Sequence, residues 1–464
     1  MSTTSIAIAG GGISGLAVLA NLIFQAQTPF NLFLFEPSHR LPKGVAFSTD
    51  CETHPLNVRA NAMGALKEHP DDFWKWVEKR KETLQPLFPK TILHPDAFLP
   101  RKLYGLYLED LYERVQAVAE EKKIKLTVIL QKVLDASESN DQLLLQVAHE
   151  NPVTVDALVL ACGVPPSKKL SFETPQLLDH PHYISDPWNS SALDSMFLHS
   201  SKVLMIGAGL TMADTVASLV HQAFDGKMIC VSPRGTSSQP HLTAPPAHPL
   251  PQVKTKELPL TARGLFRTVR KKIVSHSEWR DVIDSLRRCT QPLWAALPLP
   301  EKKQFLRHLF SLWNNHRHRM AVASFDMLEK LKKQEKLDML AGRVTAIEIE
   351  NAETLNVTVR TAEKSLQIPV NYVVKCTGPE YQIQKQPNPL IQNLHQKGMA
   401  LWDTLGMGLA LSPHGYIQGN VPGKIYALGA LLLGEKLETT AVPEIRKEAF
   451  AIAQKLLHKF HLIN

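Results

Sequence analysis

The sequence is short of cysteine, and it lacks a long apolar run. Its 464 residues include 5 cysteines, an odd number, and no two of them form a C-x-x-C pair. These facts disfavour a disulfide framework, a zinc ribbon and a dithiol redox centre, and they are typical of a reduced, cytoplasmic protein. No stretch supplies about 20 uninterrupted apolar residues, so we expect no membrane span. A chain that is 44% hydrophobic is also too apolar to be disordered.

Glycine is scarce in the middle of the chain and concentrated towards its two ends. Of the 23 glycines, four lie between Gly10 and Gly15 and eight between Gly398 and Gly434, whereas very few lie between Gly235 and Gly378. Glycine is needed where a backbone turns sharply or approaches a ligand closely. The clustering therefore predicts that the two end regions hold ligands.

Positive charge is in excess, but in one segment only. The 52 basic and 44 acidic residues leave a net charge of +8, and residues 263–319 alone hold 13 Lys or Arg against four acids. This basic segment is either a solvated helix face or a site for an acidic partner or an anionic ligand, and we expect no nucleic-acid partner. His316 and His318 are two residues apart and point in different directions on a helix, so no metal site is expected.

A glycine-rich turn near the N-terminus carries the strongest motif. Ser5–Ala9 is an apolar run typical of a buried strand, GGGISG (10–15) follows, and a helical pattern continues to Gln25. The glycines permit a tight turn and a close approach to a pyrophosphate, which the helix N-terminus would bind. Glu36 ends the next strand, where its carboxylate can accept hydrogen bonds from an adenosine ribose. The pattern predicts an adenine dinucleotide site.

The same strand, turn and helix occur a second time, about 200 residues later. Lys202–Ile206 is a strand pattern, Gly207-Ala208-Gly209 is the turn, and a helix follows. The next strand ends at Ser232 and Arg234 instead of an acid. Because a guanidinium binds phosphate oxygens well, Arg234 predicts NADP rather than NAD.

Two further apolar strands and a C-terminal segment accompany the two strand–turn–helix units. The strands end at Cys162-Gly163 and Thr377-Gly378, and the C-terminal segment contains Gly429 and the run ETTAVP (438–443). Proline is tolerated in the first turn of a helix, so Thr439 or Thr440 can cap a helix there.

Several of these runs carry a family resemblance. Through GGGISG, GVAFST (44–49), LNV (56–58), the GAGLT turn and ETTAVPEIR from Glu438, the chain resembles the bacterial family of uncharacterised FAD/NAD(P)-binding oxidoreductases. This family lies within the two-dinucleotide-domain flavoproteins that include flavin monooxygenases. The resemblance implies FAD contacts, beyond the first turn and Glu36, from the crossover strands, the LNV run and the C-terminal segment. The expected FAD-site residues are Gly10, Gly12, Ile13, Ser14, Gly15, Glu36, Asn57, Val58, Cys162, Gly163, Gly378, Gly429, Thr439, Thr440 and Ala441. The expected NADP-site residues are Gly207, Gly209, Leu210, Thr211, Ser232 and Arg234.

The expected fold is of the α/β class, with two Rossmann-like dinucleotide-binding domains. The FAD domain is discontinuous (1–185 and 347–464), and the NAD(P) domain (186–346) is inserted in it and includes a basic helical insertion (260–335). An apolar stripe of Trp279, Val282, Ile283 and Leu286 predicts core packing within that insertion.

The expected function is an oxidoreductase in which NADPH gives hydride to flavin N5 and the electrons then pass to oxygen, with hydroxylation of a small molecule. Two alternatives stay open: a reductase that passes electrons to another acceptor, and a non-enzymatic FAD-binding protein that senses redox state or binds a partner. The catalytic candidates are Asn57, His182 and Thr440, and the substrate pocket is expected from the loops 53–67 and 240–251.

Overall fold

A computed structural model describes residues 3–189, 201–245, 250, 253–276 and 278–463 of the chain. Its strands and helices alternate only in short stretches, which are separated by runs of helices and runs of strands. In the first part they are β1 (Ser5–Ala9), α1 (Ile13–Gln25), β2 (Asn31–Phe35), α2 (Gly44–Phe47), α3 (Asp72–Lys79), α4 (Lys81–Leu87), α5 (Arg101–Glu121), β3 (Lys125–Ile129), β4 (Val133–Ser139), β5 (Gln142–Val147), β6 (Val153–Val155), β7 (Ala157–Leu160), α6 (Pro175–Leu178) and β8 (Tyr183–Ile184). In the second part they are β9 (Lys202–Ile206), α7 (Leu210–His221), β10 (Lys227–Ser232), α8 (Ala262–Val274), α9 (Trp279–Ser285), α10 (Arg287–Ala296), α11 (Leu299–His308), α12 (Phe310–Arg317), α13 (Val322–Lys333), β11 (Leu337–Ala341), β12 (Arg343–Ile349), β13 (Leu355–Arg360), β14 (Ser365–Val370), β15 (Tyr372–Lys375), α14 (Pro389–Gln396), β16 (Ile425–Ala427) and α15 (Val442–Lys459).

The first sheet draws strands from both end regions of the chain. Its five strands are parallel, in the order β16-β7-β1-β2-β3. β1 is buried along its whole length, as a strand covered on both faces must be. Ile6 and Ile8 face helices α1, α5 and α15, whereas Ala7 and Ala9 face the antiparallel sheet β4–β6 and the C-terminal loops. The C-terminal region is therefore an integral part of the first unit.

The second sheet repeats this construction. Its five parallel strands have the order β11-β10-β9-β15-β8. Val203 and Met205 face α7 and α13, and Leu204 and Ile206 face the antiparallel sheet β12–β14. In each unit, the antiparallel sheet comes just before the strand that returns to the centre, β7 or β15.

The second sheet also draws strands from outside residues 186–346. β15 pairs with β9, with Val374 opposite Met205, and it also pairs with β8. The second sheet therefore takes in residues 183–375, beyond the expected limits of 186 and 346. Strand pairing between residues so far apart leaves no local signal in the sequence, which accounts for the difference.

The basic segment folds into the short helices α8–α12. Two of these helices, α8 and α9, begin at side-chain caps: the Thr261 hydroxyl accepts the Gly264 N–H at 3.2 Å, and a Glu278 oxygen accepts the Arg280 N–H at 3.0 Å. In the predicted stripe, Val282 and Ile283 are buried, and Ile283 lines an apolar cavity of about 310 Å³ enclosed by these helices. Within the residues covered by the structure, every helix is too short or too polar to span a membrane.

A buried ion pair connects the second sheet to the segment that leads into it. Lys375 Nζ lies 2.6 Å from Glu173 Oε1, which also accepts the Tyr183 hydroxyl at 2.6 Å, and the two charged side chains are 5% and 1% exposed. The Lys375 ammonium and these hydrogen bonds hold the pKa of Glu173 below its usual value, against the opposing effect of burial.

We expect Lys375→Met to destabilise the protein by about 3–5 kcal/mol, because it leaves the Glu173 carboxylate buried without a counter-charge. Urea denaturation followed by circular dichroism measures the loss. The double variant Lys375→Met/Glu173→Gln carries no unpaired charge, so it should recover most of the stability. A double variant as unstable as the single one would contradict this account.

Candidate functional site

The turns after β1 and β9 have the same geometry. Gly10 and Gly207 both have φ of +115°, a value that favours glycine. A Cβ on Gly10 would lie 2.2 Å from the Ala161 carbonyl oxygen, and a Cβ on Gly207 would lie 2.3 Å from the Cys376 carbonyl oxygen. Each turn is therefore packed directly on the strand that follows the antiparallel sheet, and only glycine fits at either position.

Both turns open onto a bare helix N-terminus. Gly12 and Gly209 are the N-cap residues of α1 and α7, and neither helix has a side-chain cap or an acidic residue in its first turn. Ile13 and Ser14 begin α1, and Leu210 and Thr211 begin α7. The first N–H groups of each helix are consequently available for an anion such as a pyrophosphate. Gly15 packs on the Gly10 carbonyl oxygen, where a Cβ would lie 1.9 Å away.

The crossover glycines lie at matching places beside these turns. Gly163 and Gly378 have φ of +74° and +76°, and no atom of the described residues lies within 4 Å of the position of a Cβ on either one. Burial raises the pKa of the preceding Cys162 to about 11 and that of Cys376 to about 12. Both cysteines are thus protonated thiols at neutral pH.

The two strands that follow the turns end in side chains of different charge. Glu36 Oε2 accepts the Gly11 N–H at 2.7 Å, and its Oε1 accepts the N–H and the hydroxyl of Ser38 at 2.9 and 2.6 Å. Arg234 is exposed, and its nearest partners lie at 3.4 Å (Ser311 Oγ) and 3.5 Å (His308 carbonyl oxygen). The Ser232 hydroxyl is buried and has no hydrogen-bond partner within the described residues. One carboxylate is held rigidly at the first strand end, while a loosely held cation lies at the second.

The C-terminal segment lies over the first turn and is fixed by a residue that the sequence analysis missed. Buried Glu448, on α15, accepts the Gly429 N–H at 3.0 Å and the Thr439 hydroxyl at 2.6 Å. Thr439 or Thr440 was expected to cap α15, but neither does. The N-cap residue is Ala441, which makes no side-chain cap. The Thr439 hydroxyl instead donates to the Glu448 carboxylate, two turns along α15. A Cβ on Gly429 would lie 3.6 Å from Ser14 Oγ, which places this segment beside the start of α1.

A cavity of about 330 Å³ brings several predicted residues together. The LNV run contributes Asn57 and Val58, and the C-terminal segment contributes Thr439, Thr440 and Ala441. The basic segment supplies Asp284, Arg287, Arg317, His318 and Arg319, and the loop after β10 supplies His241 and Leu250. His182 is not among the described residues that line this cavity. It packs against Tyr372, the first residue of β15, with ring centroids 4.3 Å apart and the rings tilted by 31°. Positions 246–249 and 251 of the predicted pocket loop lie outside the described residues.

Ion pairs attach the basic segment to the rim of this cavity. Arg317 Nε lies 3.0 Å from Glu438 Oε1, and Arg287 Nη2 lies 2.7 Å from Glu444 Oε1. Arg319 Nη2 donates to both Asp284 oxygens, at 2.6 and 2.7 Å. Part of the predicted excess of positive charge is therefore neither a free docking surface nor a solvated face.

Two histidines in the cavity are neutral at physiological pH. Burial and the nearby Arg319 lower the pKa of His241 to about 3, and burial and Arg317 lower that of His318 to about 4. His241 Nε2 lies 3.0 Å from the Asn57 carbonyl oxygen, so this nitrogen is the one that donates. His241 thereby holds the backbone of the LNV run in place.

A second cavity, of about 520 Å³, lies between residues 39–54 and the end of α7. His54 Nε2 is 2.8 Å from Ser218 Oγ and 3.0 Å from the Asp214 carbonyl oxygen, which anchors this loop on the second unit. Burial acts to raise the pKa of the Cys51 thiol, but hydrogen bonding to His54 and Thr53 outweighs it and brings the pKa to about 7.

We expect stability to fall as the pH drops below about 6.5 towards 4, because the unfolded chain takes up protons at histidines that the folded chain keeps neutral. His241→Gln keeps a donor for the Asn57 carbonyl and cannot titrate. The variant should therefore lose less thermal stability than the unaltered protein between pH 7 and pH 4. Melting temperatures over this range provide the test, and identical pH profiles would contradict the assignment of His241.

The comparisons with known proteins agree with this geometry. Residues 7–165 match a family model described as FAD-NAD(P)-binding. An uncharacterised protein of Escherichia coli (strain K12), YdhS, is 27% identical over 243 residues, which cover 50% of this chain. The match spans 43% of the length of that protein.

Solved structures resemble the whole chain. The ornithine N-hydroxylase KtzI of Kutzneria sp. 744 superposes with a TM-score of 0.66 at 13% identity, covering 99% of this chain and 100% of that one. The cadaverine monooxygenase DfoA of Erwinia amylovora superposes with a TM-score of 0.66 at 12% identity, covering 99% and 95%. At such identities the likeness is one of fold, and it confirms the predicted α/β fold class. Residues 7–165 therefore resemble the FAD-NAD(P)-binding family model, and the whole chain shares the α/β fold of these two solved structures.

Proposed function

We propose that this protein is an FAD-dependent, NADPH-using oxidoreductase that hydroxylates a small molecule. The observation that carries the proposal is the duplicated turn. Gly10 and Gly207 share one backbone angle and one packing contact, while the adjoining strands end in Glu36 and in Ser232 and Arg234. Two equivalent pyrophosphate sites with different ribose chemistry fit two different dinucleotides.

FAD is assigned to the first turn. Gly10, Gly12, Ile13, Ser14 and Gly15 would hold its pyrophosphate on α1, and Glu36 its ribose. The remaining contacts would come from Asn57, Val58, Cys162, Gly163, Gly378, Gly429, Thr439, Thr440 and Ala441. The open space at Gly163 and Gly378 and the bare N-terminus of α1 fit such a ligand.

NADP is assigned to the second turn. Gly207, Gly209, Leu210 and Thr211 would hold its pyrophosphate on α7. The buried, unpartnered hydroxyl of Ser232 and the exposed guanidinium of Arg234 would meet the ribose and its 2′-phosphate. The loose contacts of Arg234 leave its donors free for phosphate oxygens.

FAD, when bound, would supply the redox chemistry: it accepts hydride from NADPH and delivers the electrons to oxygen. The chain's own part is to place the reactants and to set the local charge. α15 begins at Val442 beside the cavity, and its N-terminus stabilises negative charge there. Asn57 and Thr440 line the cavity and could orient a substrate, whereas the position of His182 gives it no such role.

A substrate-sized cavity favours hydroxylation over electron transfer to a protein. The cavity lined by Asn57 and Thr440 measures about 330 Å³, and because these residues are also assigned to FAD, the flavin and a small substrate would share it. The ornithine N-hydroxylase and the cadaverine monooxygenase of the same fold act on small amines. A reductase that serves another acceptor remains the second candidate.

Anaerobic addition of NADPH to the purified yellow protein tests the proposal. We expect the flavin absorption band to bleach, and oxygen to restore it. A protein whose flavin does not bleach with NADPH is not an NADPH oxidoreductase of either kind, and the non-enzymatic, partner-binding alternative would then hold. Bleaching that oxygen does not reverse, but that an added electron acceptor does, would favour the reductase over the monooxygenase.

Arg234→Ala should weaken NADPH binding about 10- to 100-fold and leave NADH binding nearly unchanged, because only NADPH carries the 2′-phosphate. Dissociation constants follow from the rate of flavin reduction at rising nucleotide concentration. Arg263→Ala removes another exposed arginine of the chain and is the matched control. It should change the binding of neither NADPH nor NADH. Equal losses for NADPH and NADH would contradict the assignment of Arg234.

A further inference from the structure

We propose that the cavity beside Asn57 and Thr440 recognises a small organic monocarboxylate, and that Arg319 is the residue that binds its carboxylate. The inference rests on the proposed function, because the occupant would be the substrate of that site. The inference is based on the buried guanidinium of Arg319, two of whose nitrogen donors have no hydrogen-bond partner within the described residues.

Arg319 is 4% exposed and lines the cavity. Its Nη2 donates to both oxygens of Asp284, yet Nε and Nη1 have no hydrogen-bond partner within the described residues. A buried donor without an acceptor destabilises the protein, and more so when the group is charged. An acceptor bound in the cavity would remove this cost, and an anion would do so best.

The charge balance of the cavity fits a monoanion. Its described lining residues include Arg59, Arg287, Arg317 and Arg319 against Asp284, Glu438 and Glu444, which leaves one positive charge in excess. Arg287, Arg317 and Arg319 each pair with one of these acids. Arg59 donates instead to the backbone carbonyls of Asp96 and Leu242, at 2.6 and 2.7 Å. Burial is the main cause of the low pKa values of His241 and His318, and the nearby Arg319 and Arg317 lower them further.

The rest of the lining suits an organic skeleton rather than a phosphate. The Phe98 ring packs against His241 with centroids 4.7 Å apart, and Arg59 Cζ lies 4.9 Å from the centroid of the Phe98 ring. Leu250 adds a second apolar side chain. With its histidines neutral, the cavity lacks the second positive charge that a phosphate dianion would need.

Binding of carboxylates to the FAD-loaded protein tests the proposal. The probes are benzoate, phenylacetate and hexanoate, each paired with its neutral amide, and the readouts are the flavin difference spectrum and the melting temperature. We expect at least one carboxylate to bind at millimolar concentration and its amide to bind at least about tenfold more weakly. If none of the carboxylates binds, or if the amides bind equally well, the proposal fails.

Arg319→Gln locates the binding residue. It should weaken the carboxylate at least about tenfold, and Arg319→Lys, which keeps the charge, should restore part of the affinity. Arg288→Gln removes an exposed arginine of the same segment and should leave binding unchanged. Unaltered carboxylate binding in Arg319→Gln would overturn the assignment.

The flavin itself is the competing partner for Arg319, and the ratio of FAD to protein separates the two. We expect Arg319→Gln and Arg319→Lys to retain the normal ratio. If both variants fold, as judged by circular dichroism, but lose FAD, then Arg319 serves the cofactor and the proposal is wrong. The proposed function is tested separately, because anaerobic bleaching by NADPH in the unaltered protein requires no carboxylate.

Discussion

Gly10 and Gly207 have no space for a side chain, and the packing of strand, turn and helix at both sites depends on this constraint. At each position the turn lies against a carbonyl oxygen of a returning strand, about 2.2 Å from where a Cβ would be. This contact sets how closely strand, turn and helix approach one another. The direction of each helix follows from it, and so does the open space beside Gly163 and Gly378. The remaining parts of both dinucleotide sites are arranged around these two close approaches.

Ion pairs then bring remote parts of the chain to one cavity. Arg287 and Arg317 reach acids in the C-terminal segment, Glu444 and Glu438, more than 100 residues further along. The side chains of Arg317 and Glu438 are 10% and 6% exposed, so their charges are weakly screened and depend strongly on one another. The basic segment thereby becomes a wall of the candidate active site, and its charge acts on the histidines inside.

The local motifs could be predicted from the sequence, but the distant residues that contact them could not. The turn at 10–15, helix α1 and the acid at Glu36 each have a short-range pattern, since periodicity and glycine spacing are local properties. Glu448 was missed because a lone acid in an amphipathic helix looks solvent-exposed. The pairing of β15 with β9 and the gathering of Arg319 into the cavity depend on contacts between distant residues, for which one sequence offers no signal.

The position of β16 and α15 has a consequence for biosynthesis. Strand order makes β16 and α15 part of the first unit, although the whole second unit is translated before them. At about 5–20 residues per second, the ribosome completes the second unit while the first still lacks its last strand and helix. The nascent chain thus exposes one edge of its N-terminal sheet until β16 has been translated, and the candidate site at the first turn is completed only after the second unit has been synthesised.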